Sequence, residues 1–295
     1  MFKNVVVGVD DGEGGRDAVA LSKRLVAQDG ELTLAHIFHH TAHGAGSPHE
    51  ASEYERFQEL LEKARDDAGL DTQLRWRGSS SVGRGLHELA ELVGGDLLVV
   101  GSTRRGLLGR VLIGDDTRAS LNGAPCAVAI APTGYSRVPV AMREIGVAYD
   151  DSPESRHALG IARAIAAGHQ AKLSAFQAVS TPAYAFVGSP APIDTGSIER
   201  RVHDARENIA ALGGVEPHSV YGDPVEELTV YSASLDLLVV GSRGYGPFGR
   251  LVYGGVAQRL ARTARCPLLV LTRASRTAAD GPGDEDGRVA NVSAG

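Results

Sequence analysis

The residues best suited to chemistry here are glycines and aspartates. In "LDLLVVGSRGYGPFGRLVYGGVA", residues 235–257, an apolar run opens into a loop where Gly241, Gly244 and Gly254 follow the spacing G-x-x-G, nine residues, then G. Without a Cβ, such positions let backbone N–H groups close on a ligand. A helix starting after Gly254 would add unpaired N–H groups and the positive end of its dipole. That is chemistry for an anion, above all for phosphate. Asp150 ends the apolar run "EIGVAY" and would place a carboxylate at the same edge. It fits ligand contact and also fits a helix cap. Arg243 and Arg250 fit either anion contacts or solvated loop charges.

The chain holds a second version of this loop. Residues 96–114 read "DLLVVGSTRRGLLGRVLIG", and Asp10 and Asp150, Gly101 and Gly241, Gly114 and Gly254, and Cys126 and Cys266 all lie 140 positions apart. Two copies of one unit follow, with single-residue slips between the anchors. The first copy is degraded: Arg104 replaces the second glycine, and Asp115 and Asp116 follow Gly114. A carboxylate about 4 Å from one phosphate charge costs about 4 kcal/mol at an effective dielectric near 20. Asp115 suits a helix N-cap better.

These loops need a frame. In each copy, apolar runs alternate with amphipathic stretches: "NVVVGV", 13–28, "LTLAHIF", 50–69, "TQLRW", 84–94, "DLLVVG", 115–122 and "CAVAIA"; then "EIGVAY", 153–168, "KLSAFQAV", 195–212, "EPHSVY", 224–234, "LDLLVVG", 255–264 and "PLLVL". Strands alternating with helices predict an α/β fold of two tandem, open, five-stranded parallel sheets with helices on both faces. The expected domains are 1–133 and 144–273, joined by a linker at 134–143 and followed by a disordered tail at 274–295. In such sheets ligands bind at the carboxyl ends of the strands, where the glycine loops and both aspartates fall.

Composition narrows the function. With 295 residues, 43% hydrophobic and 22% charged, the chain reads as an ordinary globular protein long enough for two cores. A net charge of -6 and 5% aromatic content disfavour nucleic acid. Neither a membrane span nor a signal peptide is legible, so a cytoplasmic protein is expected. Cys126 and Cys266 each begin an apolar strand and read as buried, inert thiols. His36, His39, His40, His43 and His49 crowd one segment, but they lack a zinc spacing and have no equivalents in the second copy. No metal site is expected.

The glycine spacing, an aspartate ending the first strand, and the phrases "VAYDDSPESRHAL", "GDPVEEL", "DLLVVGSRG" and "ARCPLLVL" together resemble the universal stress protein family. The resemblance covers about residues 1–273 as a tandem pair of such domains. It implies an adenine-nucleotide-binding, Rossmann-like fold, a stress-response role, pairing of the two domains as an internal pseudo-dimer through their last strands, and in some members a homodimer. Some members bind ATP and others do not. It implies further that Asp150 meets the ribose or adenine and the backbone near Ala178 the base, while Gly241, Arg243, Gly244, Gly254, Gly255 and Val256 surround the phosphates of ATP, with or without Mg²⁺. In second place stand Asp10, Ile37, Gly101 and Gly114 of the first copy. One departure weakens the second site: the usual Ser or Thr after the third glycine is Gly255, a lost hydroxyl contact of about 1 kcal/mol.

Other readings fail on context. "GYGPFG", residues 244–249, has the letters of a dinucleotide fingerprint, but it follows a fourth strand and contains Pro247. The chain has no GK[ST] of a P-loop and no G-x-S-x-G nucleophile elbow. Since no catalytic base is apparent for a water nucleophile, hydrolysis would be slow. The expected function is an ATP-binding regulatory protein; the alternatives are a slow ATPase and a nucleotide-free interaction module.

Overall fold

A computed structural model describes residues 1–39, 48–69, 71–102, 122–137, 141–180, 195–242 and 255–271. The first copy runs β1 (Phe2–Gly8), α1 (Glu13–Leu25), β2 (Val26–His39), α2 (Pro48–Ala68), β3 (Gln73–Ser79), α3 (Val82–Leu92), β4 (Leu97–Gly101) and β5 (Ala127–Ala131). The second runs β6 (Glu144–Ala148), α4 (Pro153–His169), β7 (Lys172–Val179), α5 (Thr195–Ala210), β8 (Glu216–Tyr221), α6 (Pro224–Tyr231), β9 (Leu237–Gly241), α7 (Gly255–Thr263) and β10 (Leu268–Leu271).

The strands form one sheet in the order β3-β2-β1-β4-β5-β10-β9-β6-β7-β8. Each five-stranded half is parallel throughout, and the halves join where β5 and β10 pair antiparallel, Ala129 opposite Leu269. The two expected sheets therefore merge into a single mixed sheet of ten strands, and their edge strands become interior ones. Pairing edge to edge covers N–H and C=O groups that each half alone would leave open. Because that pairing is antiparallel, the carboxyl ends of the first copy's strands and those of the second face opposite rims.

Two apolar layers cover the sheet, and each runs through both copies. Val5, Val7, Leu97, Val99 and Leu269 point to the layer closed by α1, α2, α4 and α5, while Val6, Leu98, Val100 and Leu268 point to that of α3, α6 and α7. This is the two-residue period of a strand covered on both sides, and it explains why "LLVV" can be apolar without interruption. A polar clamp repeats beneath it. Asp96 accepts from the backbone N–H of Lys3 and Asn4 at 2.8 and 3.0 Å, and Asp236 accepts from Arg143 and Glu144 at 2.7 and 3.0 Å.

Some boundaries differ from the sequence expectation. The helix expected over 13–28 stops at Leu25, because Val26 turns extended and pairs with Phe2 across an irregular register. The helix expected over 224–234 ends at Tyr231 in a 3-10 turn, where the Ser232 hydroxyl bonds back to Thr229 and also accepts from the backbone N–H of Arg265. The segment expected as a linker is in part fixed: Tyr135–Arg137 forms a 3-10 turn held by Asp17 of α1. Residues 115–121 of the helix expected over 115–122, and the tail from 274, lie outside the described residues.

Candidate functional site

A cavity of about 630 Å³ opens at the carboxyl ends of β6, β7 and β9. Asp150, Ala178, Gly241, Gly255 and Val256 all line it. Arg243, Gly244 and Gly254 lie outside the described residues. The inner wall is apolar, built from Ala148, Phe176 and Leu228, and Phe176 is backed by Tyr231, whose ring stacks on it with centroids 4.6 Å apart. An apolar wall with a few convergent polar groups suits a flat, partly apolar ligand carrying charge.

Asp150 sits at the mouth. Its Oδ1 accepts from the backbone N–H of Ser152 at 3.2 Å and from the Ser152 hydroxyl at 2.5 Å. Ser152 in turn caps α4 by accepting from the backbone N–H of Ser155. The aspartate thus supports the helix start while its carboxylate stays exposed to the cavity. Cap and ligand contact coexist at this residue.

The two glycines at the described ends of the loop differ in what they require. A Cβ on Gly241 would stand 2.6 Å from the carbonyl oxygen of Glu154, so this glycine is demanded by the close approach of α4 to β9. A Cβ on Gly255 would meet nothing within 4 Å. The first turn of α7 is therefore open toward the cavity, with N–H groups that no earlier turn can satisfy.

Arg259, one turn into α7, also lines the cavity, and sequence reading had passed it over for Arg243 and Arg250. Its guanidinium is 3.5 Å from Asp223, the residue that caps α6 through the backbone N–H groups of Val225 and Glu226. Four residues after Gly255 on a helix of period 3.6, it shares that glycine's face, a signal that the helix assignment already contained. The position has no counterpart in the first copy, where the offset places Ala119.

The first copy presents a different picture. Asp10 Oδ1 accepts from the backbone N–H of Gly12 and Gly15 at 3.0 and 2.9 Å, which is a turn and cap role. Ile37 is buried and a Cβ on Gly85 would stand 2.7 Å from it, so it packs against α3. Gly101 meets α1 at Gly14 as Gly241 meets α4. Gly114, Arg104, Asp115 and Asp116 lie outside the described residues.

Both thiols are buried, and burial pushes that of Cys126 up to about 12 and that of Cys266 further in the same direction. Among the described residues no cluster of three or more His, Cys, Asp or Glu could hold a metal ion, and no helix is long and apolar enough to cross a membrane. His40 and His43 lie outside the described residues.

With this geometry in place, known proteins give a consistent comparison. The sequence profile of the universal stress protein family matches the chain twice, over residues 1–132 and 142–272. A universal stress protein of Thermus aquaticus is 31% identical over 137 residues, covering 44% of this chain and 98% of that protein. One from Mycobacterium tuberculosis is 26% identical over 215 residues, covering 70% of this chain and 72% of the relative. The crystal structure of a universal stress protein from Archaeoglobus fulgidus superposes with a TM-score of 0.65 at 18% identity, covering 92% of this chain and 98% of that one; the likeness is one of fold.

Proposed function

This chain belongs to the universal stress protein family, and on that premise we propose that it is an ATP-binding regulatory protein of the stress response holding one nucleotide in its second copy. One observation carries the reading. Asp150, Ala178, Gly241, Gly255 and Val256, which are far apart in sequence, converge on one cavity whose size falls within the range of about 300–1,000 Å³ usual for small-molecule sites. The base lies along Phe176 and Ala178, the ribose near Asp150, and the phosphates reach the first turn of α7 and Arg259. Arg243, Gly244 and Gly254 complete the phosphate side, with or without Mg²⁺. The domains are taken as 1–133 and 144–273, with the segment 134–143 between them.

Calorimetry of the full chain with ATP tests this. A stoichiometry near one is expected, Gly244→Arg or Gly254→Asp removes most of the signal, and Asp115→Ser changes little because Arg104 still occupies the first loop. Two equivalent sites would overturn the asymmetry, and no heat at millimolar ATP would make the chain a nucleotide-free interaction module. Hydrolysis is at most slow, since Asp150 is the only carboxylate among the described cavity residues and is already bonded to Ser152.

A further inference from the structure

A second cleft lies on the other side of the first copy's rim, between α1 and α2. It has a volume of about 440 Å³ and an apolar floor of Val9, Val19, Leu60 and Ala64. Arg16, Lys23 and Lys63 stand along it, and none of the three has an ion-pair or hydrogen-bond partner among the described residues. Asp11, ahead of α1, Asp67, one turn beyond Lys63, and Asp10, whose carboxylate accepts from Gly12 and Gly15, are the opposing charges. In a chain of net charge -6, a cleft lined by as many cations as carboxylates, with its three cations unpaired among the described residues, is less negative than the whole.

The second copy is the internal control. At the positions 140 residues on, Tyr149 replaces Val9, Asp151 stands for Asp11, and Arg156 and Arg163 replace Arg16 and Lys23. There the surface satisfies itself. The Tyr149 hydroxyl donates to Asp151 at 2.8 Å, Arg156 donates to the same carboxylate at 2.9 Å, and Arg163 donates to the carbonyls of Leu212 and Gly213 at 2.7 and 2.8 Å. The hydrogen bonds from Tyr149 and Arg156 hold the Asp151 carboxyl below the usual range. In the first copy the smaller Val9 leaves room, and the cations remain available.

We propose that this cleft binds a small amphipathic anion, its apolar body on Val9, Val19, Leu60 and Ala64 and its carboxylate or phosphate head between Arg16, Lys23 and Lys63. Arg16 and Lys23 are seven residues apart on one helix, about two turns, so both stand on the face that borders the cleft. The apolar floor supplies the attraction and the cations the choice of sign.

The test is titration of the full chain with decanoate and with decyl phosphate, read by calorimetry, with decyltrimethylammonium as the cationic control. Saturable binding of one molecule is expected for one or both anions and none for the cation; which anion binds more tightly identifies the head group. Arg16→Glu with Lys23→Glu, both exposed changes, should weaken binding at least tenfold, and Val9→Tyr should block it by placing in the first copy the ring that the second already holds. Equal uptake of anion and cation, binding untouched by both variants, or no binding at millimolar ligand would overturn the proposal. So would a dimer dissolved by the double variant in a chain that takes up neither anion, since the cleft would then belong to a second copy of the protein.

Discussion

Gly241 ends β9 so close to Glu154 in the first turn of α4 that a Cβ on the glycine would fall 2.6 Å from the Glu154 carbonyl oxygen. The same relationship holds between Gly101 and Gly14 in the first copy. The glycine shared by the two loops is thus a packing requirement wherever the loop goes afterwards. It therefore survives in the copy whose loop has lost its second glycine.

Gly241→Ala is accordingly expected to destabilise the fold by about 1–3 kcal/mol, as overpacking against backbone does, with or without nucleotide. Denaturant unfolding without ligand measures it. A variant of unchanged stability would mean that α4 yields freely at this point.

Asp17 is fully buried, and its carboxylate accepts from the backbone N–H of Gly134 at 2.8 Å and from the N–H and hydroxyl of Ser136, both at 2.7 Å. Asp17→Ala leaves those donors unpaired and should cost about 2–4 kcal/mol. The segment that leads from β5 into the second copy should also become sensitive to protease. Limited proteolysis with mass mapping shows whether cleavage appears near residues 134–137.

The open space at Gly255 means that a serine fits without displacing a neighbour. Gly255→Ser should tighten ATP by up to about tenfold, which corresponds to about 1.4 kcal/mol. Arg259→Ala removes a cation from the described cavity lining and, with the guanidinium proposed to meet the outer phosphates, should weaken ATP by about tenfold while affecting AMP less. Parallel titrations with the two nucleotides separate these effects, and equal losses for both would move Arg259 to a different part of the ligand.

Both cysteines should resist alkylation at about pH 8 in the folded chain, because the reactive thiolate is suppressed by burial. The pH dependence has a definite sign. An unfolded thiol ionises near 9.0 and the folded Cys126 only at about 12, so this contribution to stability is intact below pH 9 and is lost as the pH rises toward 12. Denaturant midpoints measured across that range, compared with those of Cys126→Ala, isolate it.

Much of this protein was legible in the order of its residues. The 140-residue offset identified two equivalent units, and the two-residue and 3.6-residue periods placed strands and helices within a few positions, because a strand covered on both faces and an amphipathic helix each leave a local signature. Asp150, Ala178, Gly241, Gly255 and Val256 were named from spacing and family likeness, since the carboxyl edge of a parallel sheet gathers whatever follows its strands. Arg259 and the repeated clamps of Asp96 and Asp236 were not named. A charged residue on a helix or ahead of a strand looks the same whether it meets solvent or a backbone N–H from 92 residues away.

By itself, then, the sequence determined the duplicated α/β unit, its polarity and the residues at its carboxyl edge, all of which follow from local periodicity and short-range geometry. Only the tertiary structure decided that the pairing of β5 with β10, which the family resemblance had implied, is antiparallel and turns the two rims to opposite sides, that Gly241 is needed for packing, and that Tyr149 is tied to Asp151 in one copy while Val9 lines an open cleft in the other. Those outcomes depend on which surfaces meet and how much room remains between them, and such excluded-volume relations between distant residues have no period for a sequence to show.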